Sequence, residues 1–412
     1  MEDPFDIVVI GAGPAGSAAA YAAARRGLRV ALIDRQTFPR DKACGDGIGP
    51  GAVTTAAQLG LDGLFDDDVP VTAVTVAGPD GSHIDTSPPE MGTAIHGYIV
   101  PRLDFDNRLL NRALKAGATD LTGWKFIRTT LNSRYRTIDL QSRDGTPRQI
   151  TARLLIGADG ANSVVRRALG VAPSPPRHTG IAMRAYAESD AFNPGGAIGP
   201  RMLFSFTRDL LPSYAWLFPT GQGTVNIGAG GPLTEIQKTR QNLRALVSTY
   251  TEQLRSQGIP LSDPTGHRAH HLPHFGGMPK LAHPRAALIG DAASMINPFS
   301  GEGIAYGMTA ATLLIRSLPD DPASPRDLRD ALTQFEHEFR RTYRAHMKST
   351  LLLHKLMRSP AWAKLFITAA QRDPEILRDA IDLLFGAGRV RALTSARILR
   401  TRWHYTPTPP SS

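Results

Sequence analysis

The thirty residues from Phe5 to Asp34, FDIVVIGAGPAGSAAAYAAARRGLRVALID, constrain the fold more than any other stretch of the chain. An apolar run, Ile7 to Ile10, leads directly into Gly11-x-Gly13-x-x-Gly16. Alanine-rich, helix-forming sequence follows up to Arg26, and a second apolar run covers Val30 to Ile33. Strand, glycine turn, helix and strand in that order make a dinucleotide-binding unit. Gly11 allows the tight turn, Gly13 lets the backbone approach a pyrophosphate, and Gly16 lets the helix lie against the strands. The helix N terminus turns free amides and the positive end of its dipole towards phosphate. Asp34, at the tip of the second strand, suits hydrogen bonds from both ribose hydroxyls and would repel a 2′-phosphate. The unit therefore predicts FAD or NAD, not NADP.

The chain has 412 residues, too many for one simple core, so two or three packed subdomains are expected. One cysteine excludes an internal disulfide framework and a thiolate zinc site, and fits a reducing, cytoplasmic compartment. The first apolar run enters the nucleotide turn, so it does not read as a secretory leader. No stretch reaches about eighteen uninterrupted apolar residues, and no transmembrane helix is expected. The net charge of +10 comes from arginines scattered over most of the chain and thickening after Arg326. Without a basic stretch interleaved with aromatics, nucleic acid is not an expected partner.

After Asp34 the loop RQTFPRDKACGDGIGPGAV carries Gly45, Gly47 and Gly49, which permit close backbone approach where ligands sit in this architecture. Cys44 in this loop is either a small buried filler or a group facing the reaction centre. Strands are expected in 71–78, 82–86 and 98–100. Arg102 then opens an amphipathic helix whose first turn can aim a cation at a pyrophosphate or a flavin. Strands around Lys125 to Thr129 and Thr137 to Gln141 precede a second strand-to-helix corner, Gly157-Ala158-Asp159-Gly160, which again bears a carboxylate.

Residues 181–230 read as a separate, mostly β layer in which Tyr214, Trp216 and Phe218 share one face, as core or as a pocket wall. Helical sequence is expected from Thr234 to Gly258. Five histidines lie between His267 and His283; prolines, glycines and the lack of an acidic partner favour a strand and loop there over a metal site. Next, Ala287 to Ile289 ends at Gly290-Asp291, and Asn297-Pro298-Phe299-Ser300-Gly301-Glu302-Gly303 opens a long helix. Asp291 can accept hydrogen bonds from a sugar-alcohol chain. The helix N terminus near Gly303 can stabilise a ring that becomes anionic on reduction. An extended FAD needs this distal clamp and NAD does not. From Asp327 to about Trp403 the chain reads as helices, basic and rich in Leu, Met, Trp and Phe. They suit either core packing or a membrane surface, and the tail 404–412 reads as disordered.

With both ends of the cofactor site in view, the chain resembles the FAD-dependent geranylgeranyl reductase family, which includes prenyl-lipid and menaquinone reductases. The resemblance rests on GAGPAGSAAA, FPRDKACGDG, PRLDFD, GADGANS, YAWLFP and GDAASMINPFSGEGIAYG, in that order. Aromatic hydroxylases and flavin halogenases look similar at the first, fourth and last of these.

The resemblance implies an α/β flavoprotein: a Rossmann-like FAD-binding domain, a mostly β substrate domain and a helical C-terminal region. The expected boundaries are 1–70, 97–180 and 276–326 for the FAD-binding domain, 71–96 and 181–275 for the substrate domain, and 327–403 for the helical region. Matches to family positions that contact FAD are Ala15, Asp34, Gly45, Gly47, Arg102, Asp291, Gly303 and Ile304, with a backbone contact to adenine near Phe126. Tyr214, Trp216, Phe218 and Pro219 match the wall of a lipid tunnel, and Cys44 matches the cysteine of a loop at the reaction centre. Ala43 stands where a proline is common. The implied reaction is reduction of an isoprenoid double bond by hydride from reduced flavin N5, with NAD(P)H or another donor as transient reductant. The implied setting is cytoplasmic, with contact at the inner membrane face open, and the oligomeric state is not legible. The runner-up is an FAD monooxygenase or halogenase-like enzyme tailoring a small natural product, although the YAWLFP stretch departs from the halogenase pattern. A non-catalytic prenyl carrier is disfavoured because every part of the cofactor clamp is present.

Overall fold

The computed structural model describes residues 3–87, 96–206, 208, 210–211, 213–320 and 324–386. The expected tail 404–412 and the last part of the helical region, 387–403, lie outside the described residues.

The apolar runs at the N terminus form the centre of an eight-stranded sheet. Its main path runs Ala282–His283, Ala286–Leu288, Pro147–Gly157, Phe5–Ile10, Val30–Asp34 and Thr119–Thr122. Phe5–Ile10 pairs in parallel with Val30–Asp34 on one side and with Pro147–Gly157 on the other. Strands covered on both faces cannot alternate with polar residues, which is why Ile7, Val8, Val9, Leu32 and Ile33 run without interruption and are wholly buried. The helix Pro14–Arg25 packs against the sheet and against two further helices, Arg102–Lys115 and Ile304–Ser317. Its alanines make that crowding feasible. A Cβ on Gly16 would stand 1.8 Å from the Gly11 carbonyl oxygen, and one on Gly307 would stand 3.0 Å from the Ala15 Cβ.

A second, seven-stranded sheet runs in the order Thr265–Pro273, Thr179–Glu188, Thr224–Pro232, Tyr214–Pro219, Arg201–Ser205, Ala73–Ala77 and His83–Thr86. Its alternation separates two cores. Ala215 and Leu217 join Ala185 and Ile227 in a cluster with Val247 and Leu254, while Trp216 and Phe218 join Phe204, Phe366 and Ile381 on the opposite face. The helix expected over Thr234 to Gly258 is broken in two, Leu233–Thr239 and Leu243–Ser256. Arg240 adopts a left-handed conformation there, and the Asn242 side chain caps the second helix by accepting from the Arg244 and Ala245 amides.

The C-terminal helices Pro325–Leu356, Pro360–Arg372 and Pro374–Phe385 close the molecule. Ala363, Phe366, Ile367, Ala369 and Ala370 are buried against the second sheet, so the apolar face of this segment packs into the core, whereas Leu352 and Trp362 remain exposed. No helix among the described residues is long and apolar enough to cross a membrane.

Candidate FAD and substrate site

The two sheets meet over a cavity of about 1680 Å³, including its open mouth. Its walls bring together Gly13, Ala15, Cys44, Gly45, Gly47, Arg102, Tyr214, Trp216, Phe218, Asp291, Gly303 and Ile304, residues scattered over nearly three hundred positions.

Two helices point their N termini here. The helix Pro14–Arg25 starts at Gly13 with no capping side chain, whereas Ile304–Ser317 starts at Gly303 and the Glu302 carboxylate accepts from its Ala305 amide at 3.0 Å. Over Gly13 stand two guanidinium groups: a Cβ there would lie 3.7 Å from Arg40 Nη2 and 3.8 Å from Arg102 Nη2. Asp106 holds both arginines. Arg102 donates to its carboxylate at 2.6 and 2.7 Å, and Arg40 Nη1 pairs with it at 2.8 Å. One carboxylate between two guanidiniums leaves a net positive charge above the glycine turn, as a pyrophosphate requires. Burial works against the Arg102 charge, but Asp106 outweighs it and keeps the guanidinium firmly protonated.

At the opposite end Lys42 donates to Asp291 at 3.1 Å. Burial pushes the Asp291 carboxyl up, yet Lys42, His270 and Arg102 together hold it below the ordinary carboxylate range. Next to this pair the His270 imidazole faces the cavity with its Nε2 buried and without a hydrogen-bond partner, and burial lowers its pKa to about 4. An uncapped helix terminus at Gly13, glycines that leave room along both walls, paired arginines over the first turn and an ionised carboxylate near the second make a donor set that fits FAD.

Between these ends lies the Cys44 loop. Burial pushes the Cys44 thiol up, opposed by Arg102, so it stays protonated at neutral pH. Beneath it, Asp46 adopts a left-handed φ of 61° and is wholly buried. Its Oδ2 accepts from Tyr186 Oη at 2.5 Å and from Asn226 Nδ2 at 2.8 Å. Asn226 Nδ2 also donates to the Cys44 carbonyl, and its Oδ1 accepts from Trp216 Nε1 at 2.9 Å. Tyr214, Trp216 and Phe218 form a ladder of rings on one face of their strand, with centroids 5.9 and 6.2 Å apart. Sequence reasoning passed over Asp46, Tyr186 and Asn226. Only the proximity of Asp46 to Cys44 in the chain hinted at them.

Other expected residues stand away from the cavity wall. Gly11 and Gly16 shape the turn behind it. Asp34 accepts the Ala12 amide at 3.0 Å, at the tip of its strand. Asp159 turns its carboxylate onto Ser163 and the amides of Val164 and Val165, capping a short helix, while burial raises its pKa against those bonds. Phe126 packs its ring into the main core. The five histidines are dispersed, as a strand and loop require: His270 lines the main cavity, His274 is buried in a neighbouring chamber, and His283 contacts the Lys280 carbonyl. Among the described residues no group of three or more His, Cys, Asp or Glu is arranged to hold a metal ion.

The matches to known proteins agree with this geometry. A family model described as an FAD binding domain matches residues 4–321. A menaquinone reductase of Mycobacterium tuberculosis is 38% identical over 313 residues, 76% of this chain and 76% of that one. The chain belongs to the FAD-dependent geranylgeranyl reductase family. It is an FAD-dependent oxidoreductase. Within the same family, a digeranylgeranylglycerophospholipid reductase of Methanopyrus kandleri is 28% identical over 366 residues, covering 85% of this chain and 91% of that one. The crystal structure of a geranylgeranyl bacteriochlorophyll reductase-like protein from Thermoplasma acidophilum has the same fold. It matches with a TM-score of 0.79 and 18% identity, covering 98% of this chain and 96% of that one.

Proposed function

We propose that this protein reduces carbon–carbon double bonds of a prenyl or polyprenyl chain. The observation that carries the reading is an apolar chamber of about 580 Å³ between the second sheet and the C-terminal helices. It adjoins the main cavity through Val74, Phe204, Ile381 and Phe385, which line both. Apart from Thr86 its lining is apolar, including Val76, Ile84, Phe366, Ile367 and Leu377. An apolar dead end beside a flavin site suits a branched hydrocarbon tail and offers little to a small polar aromatic. The names of the family relatives point the same way.

FAD held here would supply, once reduced by NAD(P)H or another donor, the hydride from N5 for one carbon of the double bond. The chain's own residues hold and orient. Arg40 and Arg102 over Gly13 would neutralise the pyrophosphate, Asp291 would take hydroxyls of the sugar-alcohol chain, and Gly45 and Gly47 would let the loop lie close to the ring system. Gly11, Gly16 and Asp34 shape and hold the nucleotide end, with Asp159 and the Phe126 backbone assigned to the same end. Trp216 and Phe218 wall the substrate and exclude water. Cys44 is the proton donor to the second carbon, since burial keeps its thiol protonated and its loop borders the cavity. We assign 1–70, 97–180 and 276–326 to FAD, 71–96 and 181–275 to substrate, and 327–403 to closure over the tail. Access to a lipid substrate is at the inner membrane face, where exposed Leu352 and Trp362 meet the surface.

The deciding experiment is anaerobic. Dithionite-reduced holoenzyme is mixed with prenyl diphosphates, prenyl lipids and menaquinones, and flavin reoxidation is followed with mass detection. A gain of two mass units that persists after any quinone ring has been reoxidised in air establishes prenyl reduction. Silence until oxygen is admitted, then a gain of sixteen on a ring-bearing small molecule, assigns the protein to the monooxygenases instead.

A further inference from the structure

Asn297 fixes the loop that opens the helix Ile304–Ser317. Its side-chain amide donates to the Leu383 carbonyl at 2.7 Å, and its Oδ1 accepts the Phe299 amide at 2.9 Å. At the end of this loop Glu302 accepts the Asn297 amide on its carbonyl at 2.8 Å and donates its own amide to Ser300 Oγ at 3.2 Å. The backbone so held delivers the Glu302 carboxylate to the wall of the main cavity. There Oε1 accepts the Ala305 amide at 3.0 Å, and Oε2 lies against Gly49, where a Cβ would stand 3.0 Å away. One carboxyl therefore joins the glycine loop to the N terminus of the helix, the two segments assigned above to the ring end of FAD.

This position alters what the helix N terminus can do. Free amides there would stabilise a ring that becomes anionic on reduction, but a carboxylate already occupies one of them. No cation answers that carboxylate. Lys42, Arg102, Arg184 and Arg268 line the cavity, and each is committed elsewhere: Lys42 to Asp291, Arg102 to Asp106, Arg184 and Arg268 to Asp41. Asp291 and Glu302 are the carboxylates of this wall among the described residues, and Asp291 has Lys42. An anionic ring beside an ionised Glu302 would put two negative charges in one pocket without a free cation. Like charges that share a site resolve the conflict when one of them takes a proton.

We propose that Glu302 is the charge-compensating residue of the flavin site, taking up one proton when the flavin is reduced and giving it up when the flavin is reoxidised. The proposal rests on the FAD site and not on the identity of the substrate. A hydride from the donor leaves one negative charge on the ring, and a proton from solvent converts the Glu302 carboxylate to the acid, so two electrons arrive with two protons. When the hydride departs, the ring is neutral again and Glu302 ionises. On the prenyl-reductase reading its proton replaces the one that the second carbon has drawn from the cavity wall. Burial already pushes the Glu302 carboxyl up, against the amides of Ala305, Ile304, Gly49 and Gly303. The other titratable groups around it are poorly placed to share this role. Tyr306 on its own helix and Tyr214 on the second sheet are phenols raised by burial, and Cys44 on the glycine loop stays a thiol. Tyr98, on the strand paired with Gly47, stacks on Phe65. Across the cavity, burial together with Lys42 and Arg102 keeps His270 neutral. Phe385, on the last helix, brings no charge to Gly49.

The test needs no substrate. The midpoint potential of FAD in the holoenzyme is measured anaerobically against indicator dyes through neutral and mildly alkaline pH, and the absorbance of the reduced ring reports whether it is anionic. A tenfold change in proton concentration moves a two-electron couple by about 30 mV for each proton taken up. The wild type is expected to fall by about 59 mV per pH unit with an anionic ring, and Glu302→Gln by about 30 mV. The two lines diverge as pH rises, with the variant at the higher potential. His270→Gln, at the competing site, keeps the steeper line. If Glu302→Gln does not hold FAD, the wild type remains decisive through a pH indicator that counts protons during light-driven reduction. One proton in the wild type, a neutral reduced ring, equal slopes in wild type and Glu302→Gln, or a flattened line in His270→Gln overturns the proposal. Two protons that fall to one in Glu302→Gln support it, even in an enzyme that reduces no prenyl chain, where only the function reading fails.

Discussion

Tyr186 donates its phenol to Asp46 at 2.5 Å, two residues along the chain from the Cys44 thiol that borders the main cavity. Asn226 reaches the same oxygen, and Arg184 lies over the Tyr186 ring with its cation 4.5 Å from the centroid while pairing with Asp41. A loop of small residues is thus anchored from the second sheet, and its conformation depends on one buried carboxyl.

That carboxyl sets a pH dependence. Burial raises the Asp46 pKa from 3.8 to about 6, against hydrogen bonds from Tyr186 and Asn226 and the charges of Arg184 and Arg102. Between these two values the unfolded chain has lost the proton and the folded one still holds it. Stability from this group is complete below pH 3.8 and is lost as pH rises to about 6. Asp46→Asn removes the dependence. Relative to wild type it is expected to gain up to about 3 kcal/mol between pH 4 and pH 7, measured by urea unfolding across that range. A constant difference between the two proteins contradicts the assignment.

Lys42 is the largest of the groups that keep Asp291 ionised, so Lys42→Met raises the pH at which the carboxyl takes up a proton. In the wild type the depressed pKa means that the favourable charge is present above the ordinary carboxylate range and is lost only as pH falls well below it. Acid titration of FAD fluorescence is expected to show release at higher pH in the variant. Coincident release curves would remove Asp291 from the clamp.

Gly16→Ala tests the packing of the nucleotide helix. The new methyl would stand 1.8 Å from the Gly11 carbonyl oxygen, which is backbone and cannot swing away. A cost of about 1–3 kcal/mol is expected from overpacking, together with a lower FAD-to-protein absorbance ratio. A variant that purifies fully yellow with wild-type stability refutes the close approach.

Ile381→Trp fills the throat between the main cavity and the apolar chamber. If the chamber receives the tail, turnover of long prenyl chains falls at least about tenfold, the effect of roughly 1.4 kcal/mol on the transition state, and short chains suffer less. An equal loss for every chain length places the tail elsewhere.

Cys44→Ser separates acid catalysis from packing. If Cys44 donates the proton, turnover of pre-reduced enzyme falls about a hundredfold or more while FAD stays bound. Full turnover assigns the proton to another group.

The fold was legible to the extent that local rules determine it. Phe5 to Asp34 could be read because a glycine turn between two apolar runs has few other uses, and the alternation of Tyr214, Trp216 and Phe218 because strand geometry alone puts them on one side. The break near Arg240 was not legible: nothing short of the packed sheet beneath Val247 and Leu254 requires the helix to stop and restart. Asp34 and Asp159 looked alike as carboxylates at strand ends. Asp34 holds the glycine turn, whereas Asp159 caps a helix, a difference set by which amides lie within reach.

Sequence alone determined the cofactor class and the family, because each depends on short segments whose spacing is intrinsic to the backbone. Tertiary structure alone decided the rest. It placed two arginines from different elements on one buried aspartate above Gly13, seated Asp46 under Cys44 through residues 140 and 180 positions away, and sorted five neighbouring histidines into separate environments. It also formed an apolar chamber and, across Phe206, Phe299 and Met357, a second one that holds His274 and His354. Such arrangements arise where distant segments meet, and burial there changes what each group can do: it keeps a thiol protonated, an imidazole neutral and a carboxyl half-committed to its proton.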